Sequence, residues 1–441
     1  MSSTKKRICI IGAGPCGMCA VYQLKLLCGD SLDIKCYEKQ PTLGGMWNYT
    51  WRSGTDEYGE IIPCSMYRYL WTIGNKEAME FIDYSFKEHF CKNLPSFLPR
   101  EIVKRYLEGR WTKGKCGDLR QCIDFGHVVR SVDYREDTDD FLVLVKDLQK
   151  NTCTKEIFSH VIVATGIYGV ANNPPFPGID TFPGRIVHSH DFRDVHEYKG
   201  LSVLIIGGAF SASDIAIQLI KFKCTSNVIC SSKKGSMGIS SLPEGIEDRL
   251  LPEKIEGKLV TFKDGSTAFV DAIILCTGYI YYFPFLSGNL QFDFEGQKTA
   301  LYPSGLYKGT VWRKGGNNKL FHLGVCETFL NMPAFDIQAI WIVKFILGQI
   351  KDEPVSQNEM RSFDINWYLK GQEAAKSPFE MLAFMRDLAK VLCQDIEYPQ
   401  KYFNESHDLV ARNINERITN ICGYRDECYP SMYTGEMSSL H

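Results

Sequence analysis

The hydrophobic pattern opens with a short run, Arg7-Ile8-Cys9-Ile10-Ile11, rich in β-branched residues and too brief for a helix, which predicts a buried strand. A glycine-rich stretch, Gly12 to Gly17, follows. Apolar positions at helical spacing then run from Met18 to Leu27, and a second strand pattern occupies Asp33 to Glu38. This is a strand–turn–helix–strand opening. The same order returns downstream, with a strand pattern at Leu201–Ile206, a turn at Gly207–Ala212, a helical pattern from Asp214 to Phe222 and a strand at Asn227–Cys230. Between the two, Phe141–Val145 and His160–Val163 read as strands. The second of these runs into Ala164-Thr165-Gly166, and a later strand runs likewise into Cys276-Thr277-Gly278. Each Thr-Gly is a natural crossing point between domains. The organisation expected is therefore a first domain made of 1–167 and 279–441, with a second, 168–278, inserted into it. Residues 355–441 are polar, helical and aromatic-rich, without an assignable motif.

Composition narrows the class. The chain has 441 residues, enough to bury large cores without staples. Its 50 Lys and Arg against 52 Asp and Glu leave a net charge of -2, so no general attraction to nucleic acid or anionic membrane is expected. Seventeen cysteines form an odd number scattered through apolar segments, and most read as buried free thiols of a reducing compartment. The N-terminus leads straight into the first strand without a signal-type apolar stretch. The longest apolar run, Ile337 to Ile350, is interrupted by Lys344 and Gln349 and falls short of the roughly 20 residues of a membrane span. A cytoplasmic protein is the expectation.

Chemistry begins at the first turn. Gly12-x-Gly14-x-x-Gly17 lies directly between strand and helix, and Glu38 ends the next strand at about the 20-residue distance that such a fingerprint requires. Glycines permit the tight turn and a close backbone approach, the helix N-terminus faces a pyrophosphate, and the carboxylate binds ribose hydroxyls. The second turn reads Gly207-Gly208-Ala209-Phe210-Ser211-Ala212, with alanines at the second and third glycine positions. After the following strand comes Ser231-Ser232-Lys233-Lys234, with no acid to grip a free 2′-hydroxyl. Serines and lysines suit a 2′-phosphate, so NADP(H) is expected there. The reading is an α/β protein with two Rossmann-like dinucleotide-binding domains, the NADP domain inserted into the FAD domain. Two such sites in one chain imply a flavin reduced by a nicotinamide, with FAD at the site that holds the acid.

A resemblance enters at Phe182-x-Gly184-x-x-x-His188-x-x-x-Phe192, which is similar to the signature of flavin-containing monooxygenases. Gly44-Gly45-Met46-Trp47, Ser65-Met66-Tyr67 and Cys276-Thr277-Gly278-Tyr279 match that family as well. The segments GGMWNYTWRSGTDEYGE, SMYRYLW and LYKGTVW are especially similar to its trimethylamine monooxygenase branch. The resemblance implies a cycle in which NADPH reduces FAD, the flavin takes up O₂ at its C4a carbon as a hydroperoxide, and one oxygen passes to a soft nitrogen or sulfur. A tertiary amine such as trimethylamine or an alkaloid, or else a sulfide, is the implied substrate. It further implies that Gln40, Met46 and Trp47 line the FAD, with Gln338 also at the cofactor site. Val129 would offer backbone to the adenine, Trp71 and Thr72 would lie between flavin and nicotinamide, and Phe210, Ser211 and Ala212 would hold NADP with Ser232, Lys233 and Lys234.

Two positions depart from the pattern. Where the family has Ser/Thr-Asn-x-Pro-Lys-Glu, this chain reads Thr72-Ile73-Gly74-Asn75-Lys76-Glu77. Ile73 therefore stands at the active-site asparagine position, and Asn75 at that of proline. Phe210 stands where the trimethylamine branch commonly has tyrosine. Ile73 keeps a second reading open, a weakly coupled NADPH oxidase or a flavin-binding sensor. A Baeyer–Villiger oxygenase is a further rival, weakened by Phe192-Arg193 where that group has Trp.

Other features carry less. Cys16-x-x-Cys19 lies inside the pyrophosphate turn, and His188-x-His190 belongs to the signature, with no further ligand pattern, so no metal is expected. Asn48, Asn151 and Asn404 begin glycosylation-type triplets that read as chance. A second copy of the chain, docked through the C-terminal region, completes the list of expected partners.

Overall fold

A computed structural model describes residues 5–225, 227–233, 239–293, 295–328, 331–350 and 356–439. In chain order the opening elements are β1 (Arg7–Ile11), α1 (Pro15–Cys28), β2 (Asp33–Glu38), α2 (Phe86–Phe90), α3 (Arg100–Lys113) and β3 (Ile123–Phe125). Four strands follow, β4 (His127–Arg135), β5 (Asp140–Asp147), β6 (Thr152–Phe158) and β7 (His160–Val163). The middle of the chain holds β8 (Arg185–His188), β9 (Val203–Ile206), α4 (Phe210–Lys221), β10 (Val228–Ser232), β11 (Ile246–Leu250), β12 (Pro252–Glu256), β13 (Leu259–Phe262), β14 (Thr267–Phe269) and β15 (Ala272–Leu275). The last part holds β16 (Leu306–Tyr307), β17 (Val311–Trp312), β18 (Leu320–His322), α5 (Asn331–Ile346), α6 (Gln357–Ala374), α7 (Pro378–Cys393) and α8 (Gln400–Thr419).

Two parallel sheets organise these elements. The larger has the order β16-β17-β18-β7-β1-β2-β3, parallel from β18 to β3. The smaller, β11-β10-β9-β15-β8, is parallel throughout and comes wholly from residues 185–275. Because β18 pairs with β7, the larger sheet is completed only after the chain has built the smaller one. In chain order the strands of the smaller sheet thus fall between β7 and β18 of the larger one. The second crossing is bonded to the segment that follows the first: Thr277 Oγ1 donates to the Asn172 carbonyl (2.6 Å) and Asn172 Nδ2 to the Thr277 carbonyl (2.9 Å).

Period-two alternation explains the burial. In β1, Ile8 and Ile10 face the core shared with α1, whereas Cys9 and Ile11 face a second core shared with β4 and β5. In β9, Val203 and Ile205 join the first core, and Leu204 and Ile206 a third one. Strands covered on both faces must be apolar throughout, which is why they read as unbroken runs.

Helix starts are where sequence and structure differ. α1 begins at Pro15, before the expected Met18, since proline presets the helical φ of a first turn. α4 begins at Phe210 rather than Asp214, so Ser211 and Ala212, expected in the turn, lie in its first turn. The motif-free C-terminal region folds into α6, α7 and α8, with the apolar face of α7 (Leu382, Met385, Leu388 and Leu392) buried inside the chain. Among the described residues no helix is long and apolar enough to cross a membrane.

Candidate cofactor and oxygenation site

The first turn is shaped by three glycines for three reasons. Gly12 has φ +101, and a Cβ there would stand 2.8 Å from the Ala164 carbonyl oxygen. A Cβ on Gly17 would stand 1.8 Å from the Gly12 oxygen, so α1 could not pack against the turn. Gly14 differs. Its φ is -72, and a Cβ there would meet nothing closer than Gly45 Cα at 3.6 Å. The polypeptide itself does not need a glycine at 14; a pyrophosphate lying close to the backbone would.

Glu38 is buried at the end of β2, where burial pushes its carboxyl above the usual range. One carboxylate oxygen accepts the Ala13 N–H (2.6 Å) and the other the Gln40 N–H (2.9 Å). The acid expected to meet a ribose therefore also ties the glycine turn to the segment after β2. Gly44 N–H bonds the Ala13 carbonyl (2.9 Å), and Gln40 Nε2 the Gly45 carbonyl (3.3 Å), drawing Met46 and Trp47 to the same place. Gln338 in α5 accepts the Gly324 N–H (3.1 Å), and Gly324 packs against Cys16. Val129 in β4 sits where the β4–β5 register slips before Ser131. Gln40 is thus tied to Gly45, which packs on Gly14, and Gln338 to Gly324, which packs on Cys16 two residues further along the same turn.

The second turn repeats the plan. Gly207 has φ +149, and a Cβ there would stand 2.2 Å from the Cys276 carbonyl oxygen. Phe210 and Ser211 are half-buried at the start of α4. Ser232 is buried over Gly208, and Lys233 is exposed beside it; Lys234 lies outside the described residues. Neither α1 nor α4 carries a side-chain N-cap or an acid in its first turn. Both therefore present uncompensated positive helix ends, as two pyrophosphates require. These residues fit two dinucleotides.

Between the turns runs the segment 71–77. Thr72 Oγ1 accepts the Leu98 N–H (3.1 Å), and Thr72 N–H bonds the Leu98 carbonyl (2.9 Å). Trp71 is 42% exposed and, with Tyr49, Trp51 and Tyr69, lines a cleft of about 690 Å³. Ile73 is half-buried, whereas Asn75 is fully buried with both amide atoms unpaired. A buried amide without partners costs about 1–3 kcal/mol, so Asn75 is an energetically costly group at this point of the chain.

The signature histidines are structural in their bonding. His188 Nδ1 accepts the His190 N–H (3.0 Å), and burial lowers its pKa to about 4. Among the described residues no group of three His, Cys, Asp or Glu could hold a metal. Cys16 and Cys19 are buried thiols pushed far up by desolvation, and all seventeen cysteines are free.

The flavin-binding monooxygenase-like family profile matches residues 5–247. The trimethylamine monooxygenase of Methylocella silvestris is 40% identical over 438 residues, 99% of this chain and 94% of that one. The chain belongs to the flavin-binding monooxygenase-like family. Its fold superimposes on the crystal structure of Tmm from a Pelagibacter species with a TM-score of 0.91 and 36% identity, covering 99% of this chain and 96% of that one. The S-allyl-L-cysteine S-oxygenase of Allium sativum follows at 0.79 and 26%, covering 96% and 95%. The chain is a flavoprotein monooxygenase that works with FAD and NADPH.

One arrangement of residues could not be read from the sequence, although Tyr67 itself lies in a family-like segment. Asp214, in α4, accepts from Tyr67 Oη and from Arg425 Nη2, the latter at 2.6 Å. These three positions lie hundreds of residues apart at the extremes and belong to no spacing pattern, so only the fold brings them together.

Proposed function

We propose that this enzyme oxygenates the nitrogen of a small tertiary amine, trimethylamine foremost, to its N-oxide, consuming NADPH and O₂. The observation that carries the reading is the 40% identity to a trimethylamine monooxygenase across 99% of the chain. Gly14 and the two open helix ends support it.

The residues divide the work as follows. Residues 1–167 and 279–441 form the FAD unit, in which Gly12, Gly14, Gly17 and the α1 N-terminus receive the pyrophosphate. Glu38 holds the turn and faces the ribose, while Gln40, Met46, Trp47, Val129 and Gln338 position the rest. Residues 168–278 form the NADP unit, in which Ser211, Ala212 and the α4 N-terminus receive the second pyrophosphate. Ser232, Lys233 and Lys234 take the 2′-phosphate. Trp71, Thr72, Ile73, Asn75 and Phe210 border the reacting end. Bound FAD supplies the redox and oxygen-transfer chemistry, and the chain supplies orientation and exclusion of water. Ile73 keeps its side of the site apolar, and the Asn75 amide is the nearby hydrogen-bonding group.

Free thiols throughout suit a reducing, cytoplasmic setting. Exposed Ile365, Leu369 and Phe379 on α6 and α7 are the apolar surface on which a homodimer would form. The half-buried Ile73 supports a second reading, an enzyme that returns much of its oxygen as H₂O₂. Aerobic turnover with trimethylamine, with N-oxide and H₂O₂ measured against NADPH consumed, separates the two.

A further inference from the structure

The start of α4 is fastened to the segment beside Trp71 and Ile73 by a chain of hydrogen bonds running through the C-terminal tail. Asp214, buried one turn into α4, receives Tyr67 Oη on one oxygen and Arg425 Nη2 (2.6 Å) on the other. Gln218 Nε2 donates both to Asp214 Oδ2 (3.1 Å) and to the Tyr69 carbonyl (3.1 Å). The same Arg425 turns its Nε toward the Thr72 carbonyl (3.1 Å). Nearby, Arg417 donates to Ser213 Oγ and lays its guanidinium 4.5 Å from the centre of the Phe210 ring. Tyr67 is itself fixed edge-on against Phe192 (5.3 Å).

A buried ion pair is weak evidence for stability, because desolvation offsets most of its attraction, but its directional bonds fix geometry. Arg425 is the one side chain among the described residues that bonds both Asp214 and the Thr72 backbone. Its planar fork suits two acceptors at a set angle, which lysine cannot match.

We propose that Tyr67, Asp214 and Arg425 are positioning residues that clamp the coenzyme helix α4 to the Thr72 segment, so that coenzyme held on α4 stays over the flavin site while oxygen transfer proceeds. The inference rests on the monooxygenase reading above. With the clamp intact, NADPH, H⁺, O₂ and amine give NADP⁺, H₂O and N-oxide. With the clamp loosened, the same NADPH, H⁺ and O₂ give NADP⁺ and H₂O₂. Both equations balance, and both begin with the same two-electron reduction of flavin.

The test compares FAD-bound enzyme with Tyr67→Phe, Arg425→Gln and Arg425→Lys. Tyr67→Phe is isosteric and keeps the experiment alive if the charge variants fold poorly. Three quantities are read: the H₂O₂ share per NADPH with trimethylamine, the anaerobic rate of flavin reduction, and hydrogen exchange of residues 67–76 and 210–214 without coenzyme. The clamp predicts an H₂O₂ share at least threefold higher in Tyr67→Phe and Arg425→Gln. It also predicts reduction within twofold of the unmodified enzyme and at least tenfold faster exchange in both segments, with Arg425→Lys intermediate. An unchanged H₂O₂ share, whether or not exchange or melting temperature moves, overturns the clamp. Absence of N-oxide from the unmodified enzyme instead overturns the monooxygenase reading on which it stands.

Discussion

Gly14 and Gly45 meet backbone to backbone: a Cβ on Gly45 would stand 2.9 Å from Gly14 Cα, yet one on Gly14 would reach only 3.6 Å from Gly45 Cα. Space at Gly14 is thus left open on the ligand side. Gly14→Ala should fold with a melting temperature of the FAD-free form near that of the unmodified protein, yet lose FAD affinity by at least tenfold. Gly17→Ala, whose Cβ would collide with the Gly12 carbonyl at 1.8 Å, should fail to fold stably. Stoichiometric yellow Gly14→Ala protein would show that the turn serves packing alone.

Coenzyme choice rests on Lys233, exposed beside the buried Ser232. A charge-assisted bond to a 2′-phosphate contributes roughly 1.5–3 kcal/mol. Lys233→Ala should then raise the KM for NADPH about tenfold and leave that for NADH nearly unchanged. Steady-state kinetics with both coenzymes decide, and equal losses would remove Lys233 from the site.

The sequence left open which residue of the 73–75 stretch provides an amide; Asn75 is fully buried with both polar atoms unpaired and Ile73 is half-buried, and we expect the role to fall to Asn75. Asn75→Ala should lower N-oxide per NADPH at least threefold with flavin reduction nearly unchanged, while Ile73→Asn changes the ratio less than twofold. A large gain in Ile73→Asn, with no loss in Asn75→Ala, would return the role to position 73.

His322 sits among Phe283, Phe292 and Trp312 with both ring nitrogens unpaired, and burial lowers its pKa to about 3. Its folded pKa lies below the unfolded value. Stability is therefore complete above about pH 6.5 and is lost as the pH falls toward 3, because the unfolded chain takes up the proton first. At pH 5 this costs about 2 kcal/mol. His322→Phe should gain stability over the unmodified protein by about that amount on going from pH 8 to pH 5, measured by denaturant unfolding. A pH-independent difference would mean that His322 takes up its proton in the fold as readily as in the unfolded chain.

Much of this architecture could be read directly from the chain. β1, β2 and β7 came out at their observed bounds: β1 and β7 as short apolar runs covered on both faces, and β2 through the acid that ends it at fingerprint distance from the glycine turn. Gly12 and Gly207 betrayed themselves through turns that only glycine makes readily, and Gly17 through the close packing of α1 on the first of them. The Glu38 bonds to Ala13 and Gln40 could not be foreseen, since a fingerprint acid is read through its ligand and not through the turn that it also supports. Starts of helices blurred where Ser211 and Ala212 suit turn and helix alike. The tail carrying Arg417 and Arg425 had no motif because its partners, Ser213, Asp214 and Thr72, are neighbours in space only.

The most direct test of the oxygenase reading is the N-oxide formed per NADPH consumed by purified, FAD-loaded protein with trimethylamine in air. We expect NADPH to bleach the yellow flavin and N-oxide to account for more than half of the NADPH oxidised, with H₂O₂ as the remainder. NADPH oxidation that yields H₂O₂ alone, with trimethylamine recovered unchanged, would contradict it.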